Sequence, residues 1–152
     1  MANNVNDQRL TTEDMVAIQQ LNSRYAHALD GLVADAASRW AETFTLDGSF
    51  SIVEASGKNI VPEVKGARNL VALFQTFTDV AITRHWYNNL HLEMDEEEVI
   101  MSCYIVAMSI ETLPARIIRT GLYRDKLSKK EGTWKFQNRT LVLDPGSPVG
   151  TK

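Results

Sequence analysis

The sequence predicts one α+β domain, with three N-terminal helices packed on a strongly curved antiparallel sheet and a pocket between the two layers. Three observations carry this. Apolar residues recur at helical spacing in the first half of the chain and largely give way to long β-type stretches after it. Those stretches are joined by short polar connections, which is how antiparallel strands follow one another. The 152 residues suffice for one domain with a real core.

Taken in order, residues 1–10 read as a loose polar arm, and the domain spans 11–144. Thr11 followed by Asp14 is a helix-start signal. Met15, Ile18, Leu21, Tyr25 and Ala28 then form one apolar face, running to about Asp30, and Gly31 breaks the helix. A second helix is expected over 34–44, with Ala37, Trp40, Ala41 and Phe44 on one face. Asp47-Gly48 reads as a turn. Short strands at 49–53 and 58–61 follow, with a linker between Pro62 and Gly66. A third helix at 67–77 turns Leu70, Leu73, Phe74 and Phe77 inward. Long strands are expected at 81–94, 99–111, 115–127 and 133–143, with an acidic turn at 95–98 and a charged hairpin loop at 128–132. The tail, 145–152, opens with Pro-Gly-Ser-Pro and cannot continue a strand.

Composition narrows function. A net charge of −3 with no basic stripe gives nucleic acid or an anionic membrane nothing to hold. The N-terminus lacks the apolar core of a signal peptide, and no apolar run approaches the ~20 residues of a membrane span. A lone cysteine, Cys103, fits a reducing cytoplasm. Cys and His are too few and wrongly spaced for structural zinc.

Two stretches carry candidate chemistry. In Arg-Tyr-Ala-His-Ala-Leu-Asp, Tyr25 lies on the core face, and Asp30 sits at the helix end. The macrodipole disfavours a carboxylate there. Asp30 is therefore either a turn residue before Gly31 or placed for a partner; His27 falls on the surface side. In the strand around residue 88, alternation puts His85, Tyr87, Asn89, His91 and Glu93 on one face, either solvent-exposed or lining a wet cavity. Histidine is the side chain best suited to accept and return a proton near neutral pH. Trp40, Phe44, Phe50, Phe74 and Phe77 fit an apolar cavity wall or plain core. Arg116 and Arg119 point to opposite faces and form no joint anion site, and Arg139 is expected to be solvated, the alternative being that it reaches a pocket or a partner.

The order of these features resembles a SnoaL-like protein of the nuclear transport factor 2-like superfamily. The matching residues are Tyr25 and Asp30; Trp40; Phe44, Thr45, Asp47 and Gly48; Gly66; Arg84, His85 and Asn89; Gly121, Tyr123 and Asp125; Gly132, Trp134 and Phe136. The resemblance implies a cone-shaped α+β barrel with one deep pocket. Within the superfamily the chain is similar to small cofactor-independent lyases: bile acid 7α-dehydratase, scytalone dehydratase and hexachlorocyclohexane dehydrochlorinase. That implies a His–Asp dyad of His85 and Asp30 with Tyr25 beside it. The dehydrochlorinase has lysine where this chain has Tyr25. The second histidine of scytalone dehydratase falls near Cys103 here and is missing.

The function these readings favour is a dehydratase or isomerase acting on a small hydrophobic ring-containing substrate, without metal or cofactor. His85, Asp30 and Tyr25 would be catalytic, and Tyr87, Asn89, Cys103 and Trp40 would line the pocket. The alternatives are a non-catalytic structural subunit, like the β subunit of an aromatic-ring-hydroxylating dioxygenase, or a small-molecule binding protein. Residues 99–110 are largely apolar on both alternating faces, so a homodimer or homotrimer covering the outer sheet face is also expected, the alternative being a well-buried central strand in a monomer.

Overall fold

The computed structural model describes residues 10–95 and 98–150, and the first element described opens at a helix cap. The arm at 1–9, the centre of the acidic turn and residues 151–152 lie outside the described residues. Helix α1 (Thr12–Leu29) starts with a capping box: Asp14 N–H donates to Thr11 Oγ1, and Thr11 N–H donates back to the Asp14 carboxylate, both at 3.1 Å. The same carboxylate accepts Lys129 Nζ and Trp134 Nε1, each at 2.8 Å, which ties the helix start to the far end of the sheet. Ile18, Leu21, Tyr25, Ala28 and Leu29 are buried, whereas Met15 is exposed.

Helix α2 (Ala36–Ala41) is shorter than the apolar spacing predicts, because Thr43 turns the chain. Its hydroxyl donates to Trp40 O at 2.6 Å, and its carbonyl accepts the Phe136 N–H at 2.9 Å, which draws the backbone into the sheet. Strand β1 (Phe44–Glu54) therefore begins at Phe44, a residue expected in the helix. Asp47-Gly48 marks a break in register inside β1 rather than a turn. A Cβ at Gly48 would lie 2.8 Å from Phe136 O, so only glycine permits that approach. Strand β2 (Asn59–Lys65) runs through Pro62 at the edge of the sheet, the position where a missing N–H is tolerated. Helix α3 (Ala67–Phe74) follows.

Four long strands complete the fold: β3 (Thr83–Asp95), β4 (Glu98–Ser109), β5 (Arg116–Lys130) and β6 (Thr133–Leu143). The six strands form one sheet in the order β2-β1-β6-β5-β4-β3. Every pairing is antiparallel except β1 with β6, which the long path through β2 and the helices leaves parallel. The β5–β6 turn is only Glu131-Gly132, both at positive φ as a two-residue hairpin requires, so Ser128 to Lys130 belong to the strand. The core lies between the inner sheet face and the helices, with Trp40, Phe44, Phe50, Phe74 and Phe136 packed edge to face or tilted. No described helix is long and apolar enough to cross a membrane.

The outer sheet face remains largely uncovered. Val99, Met101, Cys103, Ile105 and Ala107 are buried, but the opposite set on β4 is not, and Tyr104 is 54% exposed. Trp86 on β3 and Ile117 on β5 flank it, at 59% and 63% exposed.

Candidate active site

Asp30 occupies the cap position after α1, its N–H donating to Ala26 O at 2.8 Å. Both of its carboxylate oxygens engage one residue of β3. Oδ1 lies 2.6 Å from His85 Nδ1, and Oδ2 accepts the His85 backbone N–H at 3.2 Å. The two side chains are each 5% exposed. This answers why a carboxylate stands where the helix dipole opposes it: its partner comes from a strand 55 residues away. With Nδ1–H donating to Asp30, Nε2 carries the imidazole lone pair.

His85 lines an internal cavity, and Asp30 stands behind it outside the lining. The cavity's apolar walls are Leu29, Phe50, Ile52, Ile105, Leu141 and Leu143. Its polar lining residues are Tyr25, His85, Tyr123, Asp79 and Arg119. It encloses about 450 Å³ outside the atoms, its mouth included, of which about 40 Å³ admits the centre of a water molecule.

The Tyr25 and Tyr123 hydroxyls are 3.3 Å apart, and both rings are buried. Each hydroxyl has one proton, so one donates to the other and the second proton is left for a ligand. Burial pushes both phenols well above their usual pKa, the neighbouring phenol adds to this, and Arg139 opposes it. Both therefore remain donors at neutral pH.

Beneath the tyrosines lies Arg139, with no exposed surface. Its guanidinium carbon is 4.2 Å from the Tyr25 ring centre, 3.8 Å from that of Tyr123 and 4.1 Å from that of Phe136. Its Nη2 donates to Asn22 Oδ1 at 2.9 Å, and its Nε faces Asp125 Oδ1 at 3.3 Å. Burial pushes the Asp125 carboxyl up, to about 7, against the pull of Arg139. The expectation that Arg139 is solvated is thus corrected. It lies on the inward phase of β6 with Leu141 and Leu143, and aromatic faces replace its water.

None of the remaining residues expected in the pocket lines this cavity, but Tyr87 and Asn89 border an open groove beside α1 that Asp30 and His85 also border. Trp40 is core, enclosed by Tyr25, Phe44, Phe50, Phe74 and Phe77. Cys103 is buried beside Arg139, 3.9 Å from Nη2, outside the lining. Burial pushes its thiol up to about 11. Tyr87 packs against Tyr25 and Tyr123 and stacks on His85, also outside the lining. Asn89 is exposed. It sits at φ 52 in a bulge between Asn88 and His91, which reverses the phase of β3. Beyond the bulge Leu90 and Leu92 pack on the core, while His91 and Glu93 face solvent.

Sequence reasoning passed over Tyr123, Asp79 and Arg119 as lining residues. Gly121, Tyr123, Asp125 and Leu127 alternate inward along β5. That alternation is the sequence signal that marks Tyr123 as inward-facing. Among the described residues no three of His, Cys, Asp and Glu form a metal-ligand group.

Comparison with solved structures finds the same fold widely. A cystatin-like-fold protein of unknown function from Nostoc punctiforme superimposes with a TM-score of 0.77 at 24% identity, over 93% of this chain and 98% of that one. ActVI-ORFA from Streptomyces coelicolor gives 0.71 at 19%, over 87% and 98%. The β subunit of a putative aromatic-ring-hydroxylating dioxygenase from Novosphingobium aromaticivorans gives 0.71 at 18%, over 90% and 95%. No curated protein matches the chain. The model of the SnoaL-like domain matches residues 10–140, nearly the whole of the described structure, and the chain belongs to that family.

Proposed function

We propose that this protein is a proton-transfer enzyme, a dehydratase or isomerase, acting on a neutral oxygenated ring compound held in the cavity. The observation that carries the reading is the buried 2.6 Å contact between His85 Nδ1 and Asp30, with the imidazole lining the cavity. Nε2 takes a proton from carbon next to a carbonyl. The C–H electron pair moves into the ring and onto the carbonyl oxygen, where a Tyr25 or Tyr123 O–H donates to it. The electron pair then returns to expel a hydroxyl, which leaves as water with the proton from the imidazolium, or it recaptures that proton at another carbon. The chain's own side chains supply every proton carrier. Apolar walls and the absence of a free cation among the lining residues favour a hydrophobic, uncharged ligand.

The test is a turnover screen over cyclic β-hydroxyketones and enones. Once a substrate is found, His85→Ala is expected to lower kcat by about 10² or more. Asp30→Asn should cost nearly as much, because the wrong imidazole tautomer is favoured. Tyr25→Phe should cost less, since Tyr123 keeps its hydroxyl. Near-normal turnover in folded His85→Ala protein would refute the dyad.

The uncovered outer face supports a second, compatible reading of assembly. Trp86, Tyr104 and Ile117 form an apolar surface that a homodimer or homotrimer would bury.

A further inference from the structure

The cavity is nearly complete in a way that makes its own access a problem. Ten of the lining residues belong to the helices and strands, but Val149 and Gly150 come from the segment after β6. With that segment seated, space for the centres of a few waters does not admit a six-membered ring, so a ring ligand is both admitted and accommodated only when part of the wall shifts. That segment is held by few bonds. Ser147 Oγ donates to Thr120 O and accepts the Thr120 N–H, both at 3.1 Å. Arg119 Nε donates to Pro148 O at 2.7 Å, while its Nη2 donates to Asp79 Oδ2 at 2.9 Å. The Thr78 N–H donates to Gly150 O at 2.9 Å. Gly150 itself nestles so closely that an added Cβ would collide with the Asp79 carboxylate and lie 2.8 Å from Arg119 Nη2.

We propose that residues 147–150 are a strap that forms the last wall of the cavity, that the Arg119–Asp79 pair is its catch, and that ligands enter and leave when the strap lifts. Arg119 is suited to this because one guanidinium binds both the strap backbone and the opposite loop. Nothing else among the described contacts joins the strap to the loop before β3 except the Thr78 N–H. The core strands are poor candidates for the opening, because the β4–β5 and β5–β6 pairings run unbroken past Ile105, Tyr123, Leu141 and Leu143, their register shifts lying at Ala107/Met108 and Lys126/Leu127. Breaking these few part-buried bonds at a chain segment costs less than breaking a ladder. The inference stands on the cavity and not on the acid–base reading, so its failure leaves the dyad untouched.

A thiol placed in the cavity tests it. Leu141→Cys puts a thiol on the wall, and the native Cys103, buried outside the lining, is an internal control for general loosening of the fold. Alkylation by N-ethylmaleimide is followed at both sites by peptide mass spectrometry. Arg119→Ala, or a chain ending at Ser147, should speed reaction at the cavity thiol by about tenfold or more and leave Cys103 unchanged. Gly150→Ala, which crowds the strap off its seat, should act in the same direction and serves if the shortened chain fails to fold. Unchanged rates at the cavity thiol would overturn the strap. A parallel rise at both thiols would overturn it as well, since the variants would then be loosening the whole domain.

Discussion

Removing the buried cation under the tyrosines should be the most damaging single change in this domain that leaves every apolar contact type in place. Arg139 and Asp125 have no exposed side-chain surface, and Nε lies 3.3 Å from Oδ1. At an effective dielectric of 20, that separation corresponds to about 5 kcal/mol of attraction. Desolvation offsets most of this, so the pair itself adds little net stability, yet stranding one member costs about 3–5 kcal/mol. Arg139→Met keeps the stem and removes the charge, leaving Asp125 with neither oxygen hydrogen-bonded. Its carboxyl, already pushed up by burial, then loses the one group lowering it. The sign follows from linkage. A folded-state pKa above the unfolded value means the native state holds a proton that the unfolded chain has released. The variant's stability should therefore fall as pH rises from about 4 through 7 and beyond. The assay is urea unfolding of Arg139→Met, Asp125→Leu and the double variant at pH 6 and pH 8. The double variant should recover most of the loss, because no charge is stranded. A loss under about 1 kcal/mol in Arg139→Met at pH 8, or a double variant as unstable as the worse single one, would refute this account.

Two further predictions concern the ends and the surface. Lys129, Trp134 and Thr11 hold the Asp14 carboxyl well below the usual range, so its contribution is present above the unfolded value near 4 and is lost as pH falls toward the folded one. Asp14→Ala should cost about 1–2 kcal/mol at pH 7 and clearly less at pH 2.5; urea midpoints that differ equally at both pH values would count against it. For assembly, sedimentation equilibrium should give a dimer or trimer of the 17.1 kDa chain, and Trp86→Lys with Tyr104→Lys should release monomer. A monomeric unaltered chain at high micromolar concentration would dismiss the interface.

What was legible in the sequence was whatever depends on neighbours in sequence. The capping box at Thr11 and Asp14 and the full extent of β6 needed only local spacing. The end of α2 was not legible, because Thr43 leaves the helix to meet Phe136, a partner 93 residues away. Alternation placed His85 and Tyr87 on the inner phase of β3 but carried Asn89 with them, since nothing local announces an asparagine at positive φ. Arg139 was misplaced for the same reason. Its charge argues for solvent until Asp125, Asn22 and three aromatic faces are assembled around it from other elements.

The arrangement of charge around the cavity bears on which function such a fold would have reason to keep. A scaffold subunit gains little from Asp30, because burying a carboxylate and an imidazole costs more than packing two apolar side chains of equal size. Both carboxylate oxygens are spent on orienting one histidine, and that histidine turns its free nitrogen away from them. On the other side stand two phenols with one uncommitted proton between them and a cation 4.2 and 3.8 Å from their ring centres. An imidazole and a pair of phenols thus line one apolar space, and under the proposed chemistry they would serve as proton acceptor and oxyanion donor, each fixed before any ligand arrives. Preorganised dipoles stabilise developing charge best where water is excluded, since no reorganisation is needed during reaction. A strap that shuts the cavity would supply that exclusion. The proposed chemistry and the proposed closure therefore ask the same thing of the fold: a dry space with the proton carriers already in place.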